Sequence, residues 1–381
     1  MPKGYGCTSR SCGLKPGGEP DLSLFVSAVD AAAAALFTRN HFAGAPVVLG
    51  RETIRGGVLR AIFANSKISN VGMGEAGLVA ARRMAAAAAA EVGTTPDRVL
   101  VGSTGVIGVP LPIEAIERGV AGMAAELGSN PVEGARGIMT TDTRPKALSL
   151  DAGEATVTVV AKGAGMVAPN MATMLAYIFT DASIGADRLH VLLTGVARDS
   201  FNMLSIDTDT STSDTCVIMA NGVAGAVEER AFEAALREAC TRMAERLARD
   251  AEGATKLLRV MVRGAASDAE ARRIARAVVD SPLIKTMAYG ADPNVGRLLM
   301  AVGKCVDCAV TPAATRAWIS GTLVVANGEC AEFDEPALRR SLAGDPLDIE
   351  IDVAAGGAAA TAYGCDLTGG YIAENTAYYS S

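Results

Sequence analysis

The stretch KGAGMVAPNMATMLAYIF, Lys162 to Phe179, sets a glycine-rich run against a strongly apolar segment and places Asn170-Met171-Ala172-Thr173 between them. Before it, ATVTVVAK (Ala155–Lys162) alternates at period two with Val157 and Val159 on one face, which predicts a strand ending at Lys162. After it, MLAYIFTDA predicts a second, buried strand. Gly163 and Gly165 permit a sharp turn or a close approach, and Pro169 stiffens the join. A threonine hydroxyl is a poor nucleophile until a base takes its proton. Cutting the chain just before Thr173 would free an α-amino group, with a reference pKa near ~7.7–8.0, beside that hydroxyl. Nucleophile and base would then belong to one residue, and the small Ala172 leaves the bond ahead of it accessible. The alternative is a glycine-rich loop entering a buried strand, with Thr173 a simple β-former. The residues of this stretch alone leave both open.

Strand-like and helix-like segments alternate along the rest of the chain. PVVLG and LRAIFAN predict short buried strands, and EAGLVAARRMAAAAAAEV (Glu75–Val92) a helix on alanine propensity with Glu75 in its first turn. RVLVGSTGVIG predicts a strand running into a glycine-rich turn, followed by helical PIEAIERGVAGMAAEL. DTCVIMANG, LLRVMVRGA and the alternating DIEIDV predict strands. EERAFEAALREACTRMAERLARDAEG predicts a long amphipathic helix, Ser267 and Glu270 have capping-box spacing, and Pro293 suits an early helical position. With no internal repeat and no low-complexity linker, the chain is expected to be α/β or α+β.

Composition narrows the chemistry. Of 381 residues, 50% are hydrophobic and only 4% aromatic, so a large core must be built from small and branched side chains. A net charge of −7 without a basic cluster argues against nucleic acid or anionic lipid as partner. No apolar h-region or membrane-length segment is visible, which makes a cytoplasmic protein the expectation. The eight cysteines are scattered, and the Cys305–Cys308 pair has no second pair to complete a metal site. With only His41 and His190, a Ser-His-Asp triad or a histidine-rich metal centre is poorly supported, so catalysis here needs another base. No glycine-rich phosphate cradle with a downstream lysine is evident, and no cofactor or metal is expected.

The opening stretch has companions. Together with STGVIG, MTTDTRPK, DTDTSTSDT, DAEGATK, SPLIKTMAYGADPNVGR and the closing CDLTGGYIAENTAYYSS, it resembles the ornithine acetyltransferase family, also called the glutamate N-acetyltransferases. The matches run in the family's order from about residue 20 to the last residue. The resemblance implies an αββα sandwich with a smaller C-terminal α/β domain. It also implies self-cleavage between Ala172 and Thr173, giving an α chain of 1–172 and a β chain of 173–381 whose folds interdigitate. Thr173 is then the nucleophile, moving acetyl from N-acetylornithine to glutamate in a ping-pong cycle. Thr104 and Gly105 match the oxyanion hole, and Thr140, Lys162, Glu252, Asn375 and Ser380 match the substrate contacts. An α2β2 assembly or a multiple of it is implied. Lys162 suits a substrate carboxylate and Glu252 an ammonium, although each taken alone reads as well as a strand end or a surface acid.

The sequence departs from the family where an N-S-G-N-A-N loop is usual: here Asn65 to Gly77 read ANSKISNVGMGEAG from Ala64, with Lys67 and Ile68 inserted among small residues. Thr208 stands where a glycine is usual, and Ser213 where an asparagine is usual. Such changes resemble paralogues of antibiotic gene clusters that serve another amino-acid substrate. The altered loop, with no coenzyme A signature, favours an enzyme confined to the acetylornithine–glutamate exchange. Fold relatives in which water takes the acyl group make an amidohydrolase or aminopeptidase a third reading.

Overall fold

The computed structural model describes residues 1–168 and 174–376; Ala172, Thr173 and Ser380 therefore lie outside the described residues. The chain divides into two compact units, Met1–Asn202 with Thr210–Met243, and Met203–Asp209 with Ala244–Ser381.

In the first unit the strands are β1 (Tyr5–Arg10), β2 (Leu22–Phe37), β3 (Val58–Asn65), β4 (Val99–Ser103), β5 (Lys146–Ala152), β6 (Ala155–Lys162), β7 (Leu175–Ala182) and β9 (Thr215–Gly225). They join in the order β4-β3-β2-β9-β7-β6-β5, with β1 on β2. Helices α1 (Ala45–Thr53), α2 (Gly74–Val92), α3 (Ile113–Val120), α4 (Pro131–Arg136) and α5 (Ala186–Asp199) belong to the same unit. The long strand β2 changes partner along its length. Leu22–Val26 pair with β3, the register then shifts, and Ala32–Phe37 pair with β9. The β1–β4 half thereby folds over the β5, β6, β7 and β9 half. Phe25 of β2 meets Tyr177 edge-on and stacks on Phe179, with ring centroids 5.5 and 5.2 Å apart. Between the two β layers, Ile62, Leu100, Val160, Leu175 and Val217 form one core. The outer face of the first layer packs Phe63 and Val101 on Met84, Ala88 and Ile116 of α2 and α3. Helix α5 packs on β2, the strand that joins both layers. This is the αββα sandwich, and the small side chains of the sequence permit it: Gly102 lacks the Cβ that would lie 2.4 Å from the Tyr177 hydroxyl.

The second unit holds β8 (Leu204–Ser205), β10 (Leu257–Ala265), β11 (Arg316–Ile319), β12 (Thr322–Ala326), β13 (Glu329–Cys330), β14 (Leu347–Asp352) and β15 (Ala358–Cys365) in the order β13-β12-β11-β14-β10-β15-β8. Its helices are α7 (Asp268–Val279), α8 (Pro282–Gly290), α9 (Gly296–Gly303), α10 (Glu335–Leu342) and α11 (Gly369–Asn375). Helix α6 (Glu229–Arg249) supplies residues to both units. Helix α7 packs on β10 and β15 through Ile274, Ala275 and Val278.

Several expectations are corrected. PVVLG lies inside α1: Pro46 opens the helix and the apolar residues bury one side of it, a pattern that five residues cannot distinguish from a strand. PIEAIERGVAGMAAEL is helical only to Val120, because Gly122 takes a left-handed φ of +82° and a short 3₁₀ turn follows. Pro293 precedes α9 instead of opening it, and its carbonyl accepts from Val295 N–H. The long helix stops at Arg249, so Glu252 sits in the turn beyond. Ser267 does cap α7, but Glu270 returns no bond to it; Glu270 Oε2 accepts from the Ala309 N–H at 2.6 Å. The eight cysteines are all free thiols.

Candidate active site

Thr104 and Gly105 follow directly from β4, where a buried network fixes the turn. Ser103 Oγ donates to Asn65 Oδ1 at 2.6 Å, and Thr104 N–H donates to the Asn65 carbonyl at 3.1 Å. Gly105 has φ +127°, and a Cβ there would stand 2.2 Å from the carbonyl carbon and oxygen of Lys67. Only glycine fits this approach. The Lys67 carbonyl accepts instead from Val106 N–H at 2.9 Å. Lys67 itself has φ +75°, and Thr208 φ +69°. Two of the four departures from the family pattern therefore sit in left-handed backbone, which a β-branched threonine tolerates poorly.

Lys162 ends β6 opposite Leu175, the second residue after Thr173, and Leu175 pairs in turn with Thr215. The Gly102–Tyr177 approach lays the β4 end that carries Thr104 against the strand that leads away from Thr173. Thr140, half-buried, donates its N–H to Asp142 Oδ2 at 3.1 Å. Asp142 Oδ1 accepts from Gly163 N–H at 2.9 Å and from Lys146 Nζ at 2.5 Å. Thr104, Gly105, Thr140 and Lys162 thus share the first unit. In the second unit, Asn375 Nδ2 donates to Glu252 Oε2 at 2.7 Å. Asn375 closes α11 and is not a loose tail residue. Thr368, the N-cap of that helix, donates its hydroxyl to the Gly253 carbonyl at 2.6 Å, and Gly253 has no room for a Cβ against Tyr371 and Gly370.

Two buried acids in the first unit escaped the reading of the sequence. Burial pushes the Asp142 carboxyl up, but Lys146, Lys162 and the hydrogen bonds outweigh it and leave its pKa below the ordinary value. Asp214 is also fully buried, and there burial dominates: Ser211 and Lys162 oppose it weakly, and the pKa stands well above the usual carboxylate range. Its Oδ2 has no hydrogen-bond partner among the described residues. Two buried carboxyls of this unit are thereby driven in opposite directions. The only signal in the sequence was an aspartate within small hydroxyl residues, in TTDT and STSDT.

The arrangement meets its relatives at this point. The model of the ArgJ family matches residues 6–380. The chain belongs to the ArgJ family. This ArgJ-family chain is 41% identical to the Nostoc arginine biosynthesis bifunctional protein ArgJ 2, over 99% of this chain and 97% of that one. It is also 41% identical to the glutamate N-acetyltransferase Oat2 of Streptomyces clavuligerus, over 99% and 98% respectively. The crystal structure of the Bacillus halodurans arginine biosynthesis bifunctional protein argJ superposes with a TM-score of 0.52 at 38% identity, covering 54% of this chain and 100% of that one.

Proposed function

We propose that the protein is a glutamate N-acetyltransferase of arginine biosynthesis that takes acetyl from N-acetylornithine. Near-complete coverage by relatives bearing those names supports this reading most. In this mechanism the chain is cut between Ala172 and Thr173, and the new α-amine of Thr173 takes the proton of its own hydroxyl. Oγ then attacks the acetyl carbon. The oxyanion is met by the Thr104 hydroxyl and the Gly105 N–H, ornithine leaves with the proton held by the amine, and an acetyl ester of Thr173 remains. The glutamate amine attacks that ester by the reverse path. Lys162 receives the substrate carboxylate and Glu252 the ammonium, with Thr140, Asn375 and Ser380 as further substrate contacts. No cofactor enters the exchange. The Gly105 backbone supports the hole, since it is held by a contact that excludes every side chain.

The cut has a separate support: the Bacillus halodurans polypeptide is matched over its whole length by 54% of this chain, so it is about half as long. We place the mature enzyme in the cytoplasm as an α2β2 assembly or a multiple of it; among the described residues no helix is long and apolar enough to cross a membrane.

A denaturing gel and a transfer assay test this reading. Wild type should run as two bands and Thr173→Ala as one, with turnover lost in the variant. Ornithine release from N-acetylornithine that depends on glutamate supports transfer. Release in water alone would mean a hydrolase, and no release would mean a different substrate, as in specialised metabolism.

A further inference from the structure

The ion pair between Lys146 and Asp142 is sealed: the two side chains are 2% and 0% exposed. Burying a charge pair is expensive, and a pair of apolar residues would fill the same volume with no desolvation cost. Stability therefore explains it poorly, and its bonds suggest another role. Asp142 Oδ2 holds the N–H of Thr140, while Oδ1 holds the N–H of Gly163, next to Lys162. The two segments are 21 residues apart in sequence and are tied through one side chain. Lys146 starts β5 opposite Ala161 of β6, so its ammonium is anchored on the hairpin that ends at Lys162. Three residues before Thr140, the Gly137 carbonyl accepts from Ser66 Oγ at 2.8 Å, which anchors the approach to this stretch. A carboxylate can accept from three donors at once in a fixed plane; an amide oxygen in its place would leave at least one of them opposed by an N–H.

We propose that Asp142, with Lys146 as its counter-charge, is a positioning residue that fixes Thr140 and Lys162 relative to each other. The spacing of these two substrate contacts is thereby set before substrate arrives. This inference rests on the acetyltransferase reading above for what Thr140 and Lys162 contact. It adds a residue pair that never touches substrate.

The test uses Asp142→Asn and the double variant Asp142→Asn with Lys146→Met, which removes both buried charges together. Asp142→Asn alone removes the counter-charge that Asp142 gives a buried ammonium and is expected to lose thermal stability. The double variant is expected to fold and to cleave itself into two fragments at the wild-type rate, because cleavage involves no amino-acid substrate. Its KM for both N-acetylornithine and glutamate should nevertheless rise about tenfold or more, with kcat changed much less. A double variant with wild-type KM values overturns the inference, and so does one that fails to fold, which would make the pair purely structural. Absence of N-acetylornithine turnover by the wild type itself would instead strike the acetyltransferase reading, and this inference would fall with it.

Discussion

At the scale of single residues, the fold is fixed by a few positions that admit no substitute. Gly105 is one: a methyl group there meets the Lys67 carbonyl at 2.2 Å in a backbone conformation that side chains rarely adopt. Gly105→Ala should cost about 3 kcal/mol or more in stability by urea unfolding and lower kcat by about 10²–10³. Asp214 is a different case, because its raised pKa carries a sign that can be read in solution. Between the unfolded value, about 3.9, and its elevated folded value, the native state keeps a proton that the unfolded chain has released. That binding difference makes stability fall as pH rises. Asparagine has no proton to lose. Asp214→Asn should therefore gain on the parent as pH climbs above about 4, and parallel unfolding curves would contradict a raised Asp214 pKa. Neither acid could be recognised from its neighbours in sequence. The partners of Asp142 include Gly163, and the burial of Asp214 depends on β2 and β9 closing over it: Thr38 N–H donates to its backbone carbonyl.

At the scale of elements, legibility followed length and period. Helix α2, nineteen residues rich in alanine, was unmistakable, and β6 ends at Lys162 as its alternation required. The failures were short: Val47, Val48 and Leu49 form a run that suits either a strand or one buried turn of helix, and only tertiary packing chose α1. The capping box at α7 was half right. Ser267 Oγ accepts from Glu270 N–H at 3.3 Å, while the Glu270 carboxylate is drawn 39 residues away. Ser267→Ala should cost about 1 kcal/mol, measured as a shift in the thermal midpoint, since one orphan N–H of the first turn loses its acceptor. Glu270→Ala should act instead on the segment around Ala309. In the site, the glycine turn after β4 was visible from STGVIG, but the contact that makes Gly105 obligatory comes from the divergent loop at Lys67.

At the scale of the molecule, the strand order matters more than any one contact. Strands β7 and β9 follow Thr173 in sequence, yet they lie between β2 and β6, which precede it. Every backbone bond across β2–β9 and β6–β7 would join the two fragments of a cut chain. After scission the fragments should co-elute on gel filtration and separate only under denaturing conditions. For the proposed cut, this geometry also sets an order of events. The layer of β9, β7, β6 and β5 draws two strands from each side of Thr173, so a chain cut there would have to complete that layer as one continuous thread before the bond is severed. Two genes, one encoding residues 1–172 and the other 173–381, should yield aggregates when expressed apart, however perfect each sequence is. The proposed maturation would resemble cutting a cord already woven into cloth: two ends come free, and the weave holds.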